Sequence, residues 1–176
     1  MVRAGDVVGN EDMTESLRFV KTAADTNGEL LEMEATYKPN GTLNPNIQHF
    51  HPSQDEHFEV LSGSVSAIIA GVTQSYGVGE SFDVPRKTVH IMANVGDEPA
   101  VVRWQVRPAM NTEGFLATVW SAEYEKQQNV FRLAVLLRAY KHVFRLARPA
   151  YPMQVVVFGL MALVGRLRGY RAETPV

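Results

Sequence analysis

The stretch His49-Phe50-His51-Pro52-Ser53-Gln54-Asp55-Glu56 decides the fold of this 176-residue chain. Side chains two residues apart on a strand point to the same face, so His49 and His51 enter one space together. A short loop follows, and Glu56 opens the next strand. Phe58 and Val60 share the face of Glu56, which makes that face the inner one; His57 and Glu59 then point outward. His90 comes from a later run, with Met92 and Asn94 on its side. Three imidazoles and one carboxylate from three strands suit a borderline divalent ion: Fe, Mn, Zn, Ni or Co. Four such ligands on an octahedral ion leave two positions for substrate, oxygen or water.

Outward from this stretch, residues from about 6 to 107 read as an all-β domain. Short runs rich in Val, Ile, Phe and Thr are separated by Gly turns. Asn27-Gly28 predicts a hairpin between Arg18–Ala24 and Leu30–Tyr37. Within the second run Leu31, Met33, Ala35 and Tyr37 share a face, and Glu32, Glu34 and Thr36 the other, the period of a half-buried strand. Further strands are expected at Glu56–Leu61, Ser64–Ala70, Glu80–Val84, Val89–Val95 and Ala100–Val106. In the last, Val102, Trp104 and Val106 face one way. The inner face thus offers Phe58, Met92, Asn94 and Trp104 as candidate pocket lining, although core packing is the commoner role for Met92 and Trp104. So many short strands at this spacing argue for a sandwich or jelly roll.

These spacings resemble the cupin family. Its first motif is His-x-His, then a Glu after three or four residues and a Gly six residues later; here these are His49, His51, Glu56 and Gly63. Its second motif is met by Gly79, Pro85, His90 and Asn94, and Ser64–Val78 fits the hairpin between the motifs. Two glycines of the family pattern are replaced, by Leu43 and Lys87. The resemblance covers residues 40–107 closely. It implies a jelly-roll β-barrel holding one divalent metal ion on His49, His51, Glu56 and His90, a small-molecule ligand, and a homodimer. The wider pattern, a barrel followed by an Arg-rich helical tail, is similar to a group of small single-domain bacterial cupins.

The expected fold class is therefore mainly β: a cupin jelly-roll barrel over residues 1–108 with a helical C-terminal extension over 109–176. Helices are expected at Asn111–Glu125 and Val130–Ala147, the second with an apolar stripe that includes Leu136, Tyr140, Val143 and Phe144. Pro149 and Pro152 interrupt the pattern before the apolar run Met153–Val164. Net charge is −2, but residues 1–125 carry 18 acidic and 8 basic side chains, while 126–176 carry 1 acidic and 9 basic. The tail is expected to pack on its own barrel, on a partner subunit, or on an anionic membrane surface; its run of apolar residues is too short to span a bilayer. No nucleic-acid motif accompanies the basic charge, so nucleic-acid binding is not expected. The chain has no cysteine, which excludes disulfides and thiolate metal sites. That absence and the lack of an apolar leader point to the cytoplasm.

Two functions fit these residues. One is a metal-dependent enzyme, dioxygenase-like by preference, in which Glu56 doubles as ligand and base; with Zn, isomerase or hydrolytic chemistry gains. The other is a non-catalytic module that binds or senses a metal or small ligand, the tail contacting a partner or membrane.

Overall fold

Leu31, Met33 and Ala35 are fully buried, whereas Glu32 and Glu34 between them are not. Period-two alternation thus seats the first long strand half in the core. A computed structural model of the chain describes residues 2–172. Its strands are β1 (Val7–Gly9), β2 (Ser16–Lys21), β3 (Leu31–Tyr37), β4 (His49–Phe50), β5 (Asp55–Ser62), β6 (Ser64–Ile69), β7 (Val72–Gly77), β8 (Ser81–Val84), β9 (His90–Ala93) and β10 (Ala100–Arg107). After them come α1 (Thr112–Val119), α2 (Ala122–Lys126), α3 (Val130–Ala139), a short strand β11 (Arg145–Leu146) and α4 (Tyr151–Leu167).

Two antiparallel sheets face each other, ordered β1-β2-β3-β10-β5-β8 and β11-β4-β9-β6-β7. Inward side chains from both sheets fill the space between them, among them Phe19, Met33, Val60, Val65, Val102 and Val106. Tyr76, Phe82, Phe58 and Trp104 form a stacked series, with successive ring centroids 4.2, 4.9 and 5.5 Å apart. Aromatic pairs at such offsets add to the area they bury. The expected mainly β jelly-roll architecture is what the chain adopts.

Local expectations fared unevenly. Asn27 and Gly28 both take positive φ, but they sit inside the nine-residue loop 22–30 rather than forming a tight two-residue hairpin. Ala70-Gly71 is the tight hairpin: Ile69 pairs with Val72, and both turn residues have positive φ. The helix expected over Asn111–Glu125 is split near Trp120-Ser121, where Ser121 caps α2 by accepting from the Tyr124 N–H. The helix expected over Val130–Ala147 ends at Ala139. The chain beyond it turns back, and β11 pairs with β4 in the barrel, Leu146 opposite His49.

The tail shares the core of the barrel. Phe115, Leu116, Tyr124, Leu136, Tyr140 and Val143 belong to the same buried cluster as the strands. Gln54, buried in the barrel, donates to the carbonyls of Pro108 and Ala109 and to Thr112 Oγ1, fixing the start of α1. α4 packs on α3 through Ala134, Val135 and Ala162, and its Gln154 donates to the Leu146 carbonyl of β11. At Gly165 any Cβ would come within 2.8 Å of the Phe131 carbonyl, which explains the glycine there.

Candidate metal centre

The ladder brings the candidate ligands together. β4 pairs with β9 so that His49 lies directly opposite His90. His51, expected on the same strand as His49, follows one residue past the end of β4, yet its ring still turns inward and is 5% exposed. Glu56 comes from β5 in the facing sheet, between Val84 on β8 and Val106 on β10, and is buried. One ligand nitrogen from each of His49, His51 and His90 lies within 4.8 Å of the other two. That is close to the span covered by two metal–nitrogen bonds of about 2.1 Å. Glu56 Oε2 stands 3.0 Å from His90 Nε2 and 3.3 Å from His51 Nε2.

The orientation of each ring is fixed from behind. Nδ1 of His49 meets the Ile47 carbonyl at 3.0 Å, Nδ1 of His51 the Val143 carbonyl at 2.6 Å, and Nδ1 of His90 the Thr88 carbonyl at 3.0 Å. A carbonyl only accepts, so each Nδ1 carries a hydrogen and donates it. Nε2 of the neutral ring is then the unprotonated nitrogen, and it faces the centre. Glu56 is held similarly: Trp104 Nε1 donates to its Oε1 at 3.0 Å, which leaves Oε2 for the centre. His51 Nε2 and Glu56 Oε2 are buried with no hydrogen-bond partner. Buried polar atoms left unpaired are costly, and a cation among them would satisfy both. The donor set and these orphaned atoms fit a divalent ion.

Charge follows the same logic. Burial, joined by the neighbouring His90 and His51, pushes His49 down to about 3, so its ring is neutral. Burial also lowers His51. On Glu56 burial acts upward, but the imidazoles outweigh it and hold the carboxyl at about 2. Burial pulls His90 down too, yet the adjacent Glu56 carboxylate wins and raises it. The opposed shifts of His90 and Glu56 have one cause, the attraction between an imidazolium and a carboxylate 3.0 Å apart.

The other sequence candidates take varied places. Phe58 and Trp104 stack on each other in the core, Trp104 carrying the hydrogen bond to Glu56. Met92 is half-buried and packs against the core. Asn94, expected in the lining, is committed to a turn: its amide donates to the carbonyls of Tyr37 and Glu98 and accepts from the Gly96 N–H. His57 points outward and pairs with Asp83 at 2.8 Å. Arg86 pairs with Asp55 on the surface. Two contributors escaped sequence reasoning. The Phe144 ring stacks on His49 with centroids 4.4 Å apart, and the Val143 carbonyl orients His51. Phe144 could be seen only as part of an apolar stripe, and a backbone carbonyl leaves no mark in the sequence.

The family model described as Cupin domain matches residues 33–106, which hold all four candidate ligands. The chain carries a cupin domain. A solved structure of similar fold stands above a TM-score of 0.5, and others follow below it. KdgF from Halomonas sp. superposes with a TM-score of 0.51 at 16% identity, covering 61% of this chain and 90% of that one. An RmlC-like cupin from Shewanella frigidimarina gives 0.49 at 18% identity, covering 62% and 88%. A cupin-superfamily sugar phosphate isomerase from Silicibacter pomeroyi gives 0.48 at 14%, covering 58% and 70%. At these identities the likeness concerns the fold alone. No curated protein matches the sequence. Lys87 stands where the cupin pattern has a glycine and takes φ +68°, so the backbone shape survives the substitution. Gly63 keeps the glycine for two reasons: φ is +71°, and a Cβ would meet the Pro99 carbonyl oxygen at 2.5 Å.

Proposed function

We propose that this cupin binds one divalent ion on His49, His51, His90 and Glu56 and uses it to transform a small organic molecule, with dioxygenase-like chemistry the favoured reaction. The reading is carried by the buried, unpartnered Nε2 of His51 and Oε2 of Glu56, both aimed at the point where the other imidazoles meet. Bound there, such an ion would act as a Lewis acid toward a chelating substrate oxygen and stabilise developing negative charge. The chain's own groups do the rest. The three backbone carbonyls hold the rings in the ligating tautomer. Trp104 keeps Glu56 Oε1 occupied, so Oε2 is the oxygen that would hold the ion and, once released from it, take a substrate proton. Phe144 covers His49 and limits water at the centre.

A second reading, a non-catalytic metal-binding or sensing module, is favoured by the enclosure: His51 and His90 are each 5% exposed. Closed sites suit resident ions, open ones turnover. Elemental analysis of protein purified without added metal is the first test. Wild type and His57→Ala should each hold about one ion per chain, and His51→Ala should lose it; equal contents in wild type and His51→Ala refute the ligand set. Oxygen uptake by iron-loaded protein with phenols, diketones and thiols then separates the readings. Full metal occupancy without turnover for any metal selects the binding module.

A further inference from the structure

α4 turns one face to α3 and another, equally apolar, to solvent. Met153, Val156, Leu160, Leu163, Val164 and Leu167 are 38 to 82% exposed. At about 100° per residue they fall within an arc of about 100°, a continuous stripe along the 17-residue helix. A single exposed leucine needs no explanation, but a stripe of this length marks a binding surface.

Cations border the stripe on both sides. On one side Arg138, Lys141, Arg145 and Arg166 line a cleft of about 450 Å³ between α3 and α4, together with Tyr151 and Phe158. On the other side Arg168 lies over the Phe131 ring, 4.3 Å from its centroid. None of these five cations is within ion-pair distance of a carboxylate among the described residues, whereas Lys126 pairs with Glu11 and Arg132 with Glu123. Residues 127–172 contain no Asp or Glu at all.

We infer that this face of α3 and α4 docks on an anionic lipid bilayer, α4 lying in the plane of the interface. Its apolar stripe would enter the acyl boundary while the flanking arginines and lysine meet headgroup phosphates, the division of labour of interfacial helices. The helix does not cross: no helix among the described residues is long and apolar enough. A second copy of the chain fits the face less well. A two-fold contact would set these cations against one another, and residues 127–172 hold no Asp or Glu to offset them. The −10 charge of residues 1–125 would be repelled by the same lipids, so the basic tail is the part presented to the membrane.

Flotation of the full chain with vesicles tests this. The chain should rise with vesicles of equal parts phosphatidylglycerol and phosphatidylcholine and stay below with pure phosphatidylcholine. Raising the salt should release it, because screening shortens the reach of surface charge. Each cation near such a surface is worth about fivefold in partition, so Arg138→Gln with Lys141→Gln should weaken binding about twenty-five-fold. Leu160→Asp with Leu163→Asp should abolish it while leaving metal content unchanged. The salt response of the wild type serves if a variant misfolds. A wild type that ignores anionic vesicles overturns the inference, as does an Asp double variant that floats as well as wild type. So does a dimer in solution, split by the Asp variant, that binds no vesicles; that result would assign the stripe to a second copy.

Discussion

Glu56 carries a buried negative charge, and what surrounds it makes that tolerable. Desolvating a lone carboxylate is expensive, and here one oxygen accepts from Trp104 while the other faces imidazoles. Trp104→Phe keeps an aromatic ring in the stack but leaves Oε1 without a donor. It should cost about 1–3 kcal/mol of stability in urea unfolding and weaken metal binding as well; an unchanged midpoint would mean that another donor replaces Trp104. The His90 proton gives a second expectation. Glu56 holds His90 above its ordinary value of 6.5, so metal-free protein carries more of that proton at pH 6.5 than a free imidazole does. An incoming ion must displace it, whereas neutral His49 has none to lose. Binding should therefore release about one proton per ion near pH 6.5, and affinity should fall about tenfold per unit as pH drops below the raised His90 pKa. Calorimetric titration in two buffers of different ionisation heat reads the proton directly, and zero release would contradict the His90–Glu56 coupling.

Elements differ in how openly the sequence declares them, for physical reasons. β3 and β10 pair along their whole length with one face inward, so alternation alone located both to within a residue. The His-x-His spacing worked because parity sends both rings inward even though His51 lies beyond the end of β4. The segment after Ala139 misled for the opposite reason. Tyr140, Val143 and Phe144 fit the period of a helix, but their apolar groups are claimed by the barrel core and by His49, and β4 captures residues 145–146. Such tertiary demand overrides a local pattern and cannot be read from it. Lys87 shows a milder conflict. Its backbone N–H donates to the His51 carbonyl at 2.8 Å, and this contact holds a lysine at φ +68°, where glycine is at ease. Left-handed backbone costs a non-glycine residue about 1 kcal/mol or more, against which glycine loses more chain entropy on folding. Lys87→Gly should therefore raise stability modestly, by up to about 1 kcal/mol in urea unfolding, with metal content unchanged. A loss of stability would show that the lysine side chain contributes more than its backbone strain costs.

At the scale of the whole molecule the barrel and the tail are bound through shared interior and shared chemistry. Leu136 on α3 is fully buried within the cluster that includes the strands, and Val143 just beyond α3 supplies the carbonyl that orients His51. A tail that merely rested on the barrel could unfold alone and leave the candidate ligand cluster standing. This one cannot leave without opening the core and freeing the His51 ring. Leu136→Ala removes a side chain from a packed interior, a change that typically costs about 2–5 kcal/mol. If barrel and tail form one cooperative unit, the loss should appear equally in both: helical circular dichroism for the tail, and Trp104 fluorescence in a Trp120→Phe background for the barrel. The two curves should coincide before and after the substitution. A helical signal that moves to lower urea while Trp104 fluorescence stays in place would show that the tail melts on its own. The His51–Val143 contact would then have to form only after the barrel had already folded around its ligands.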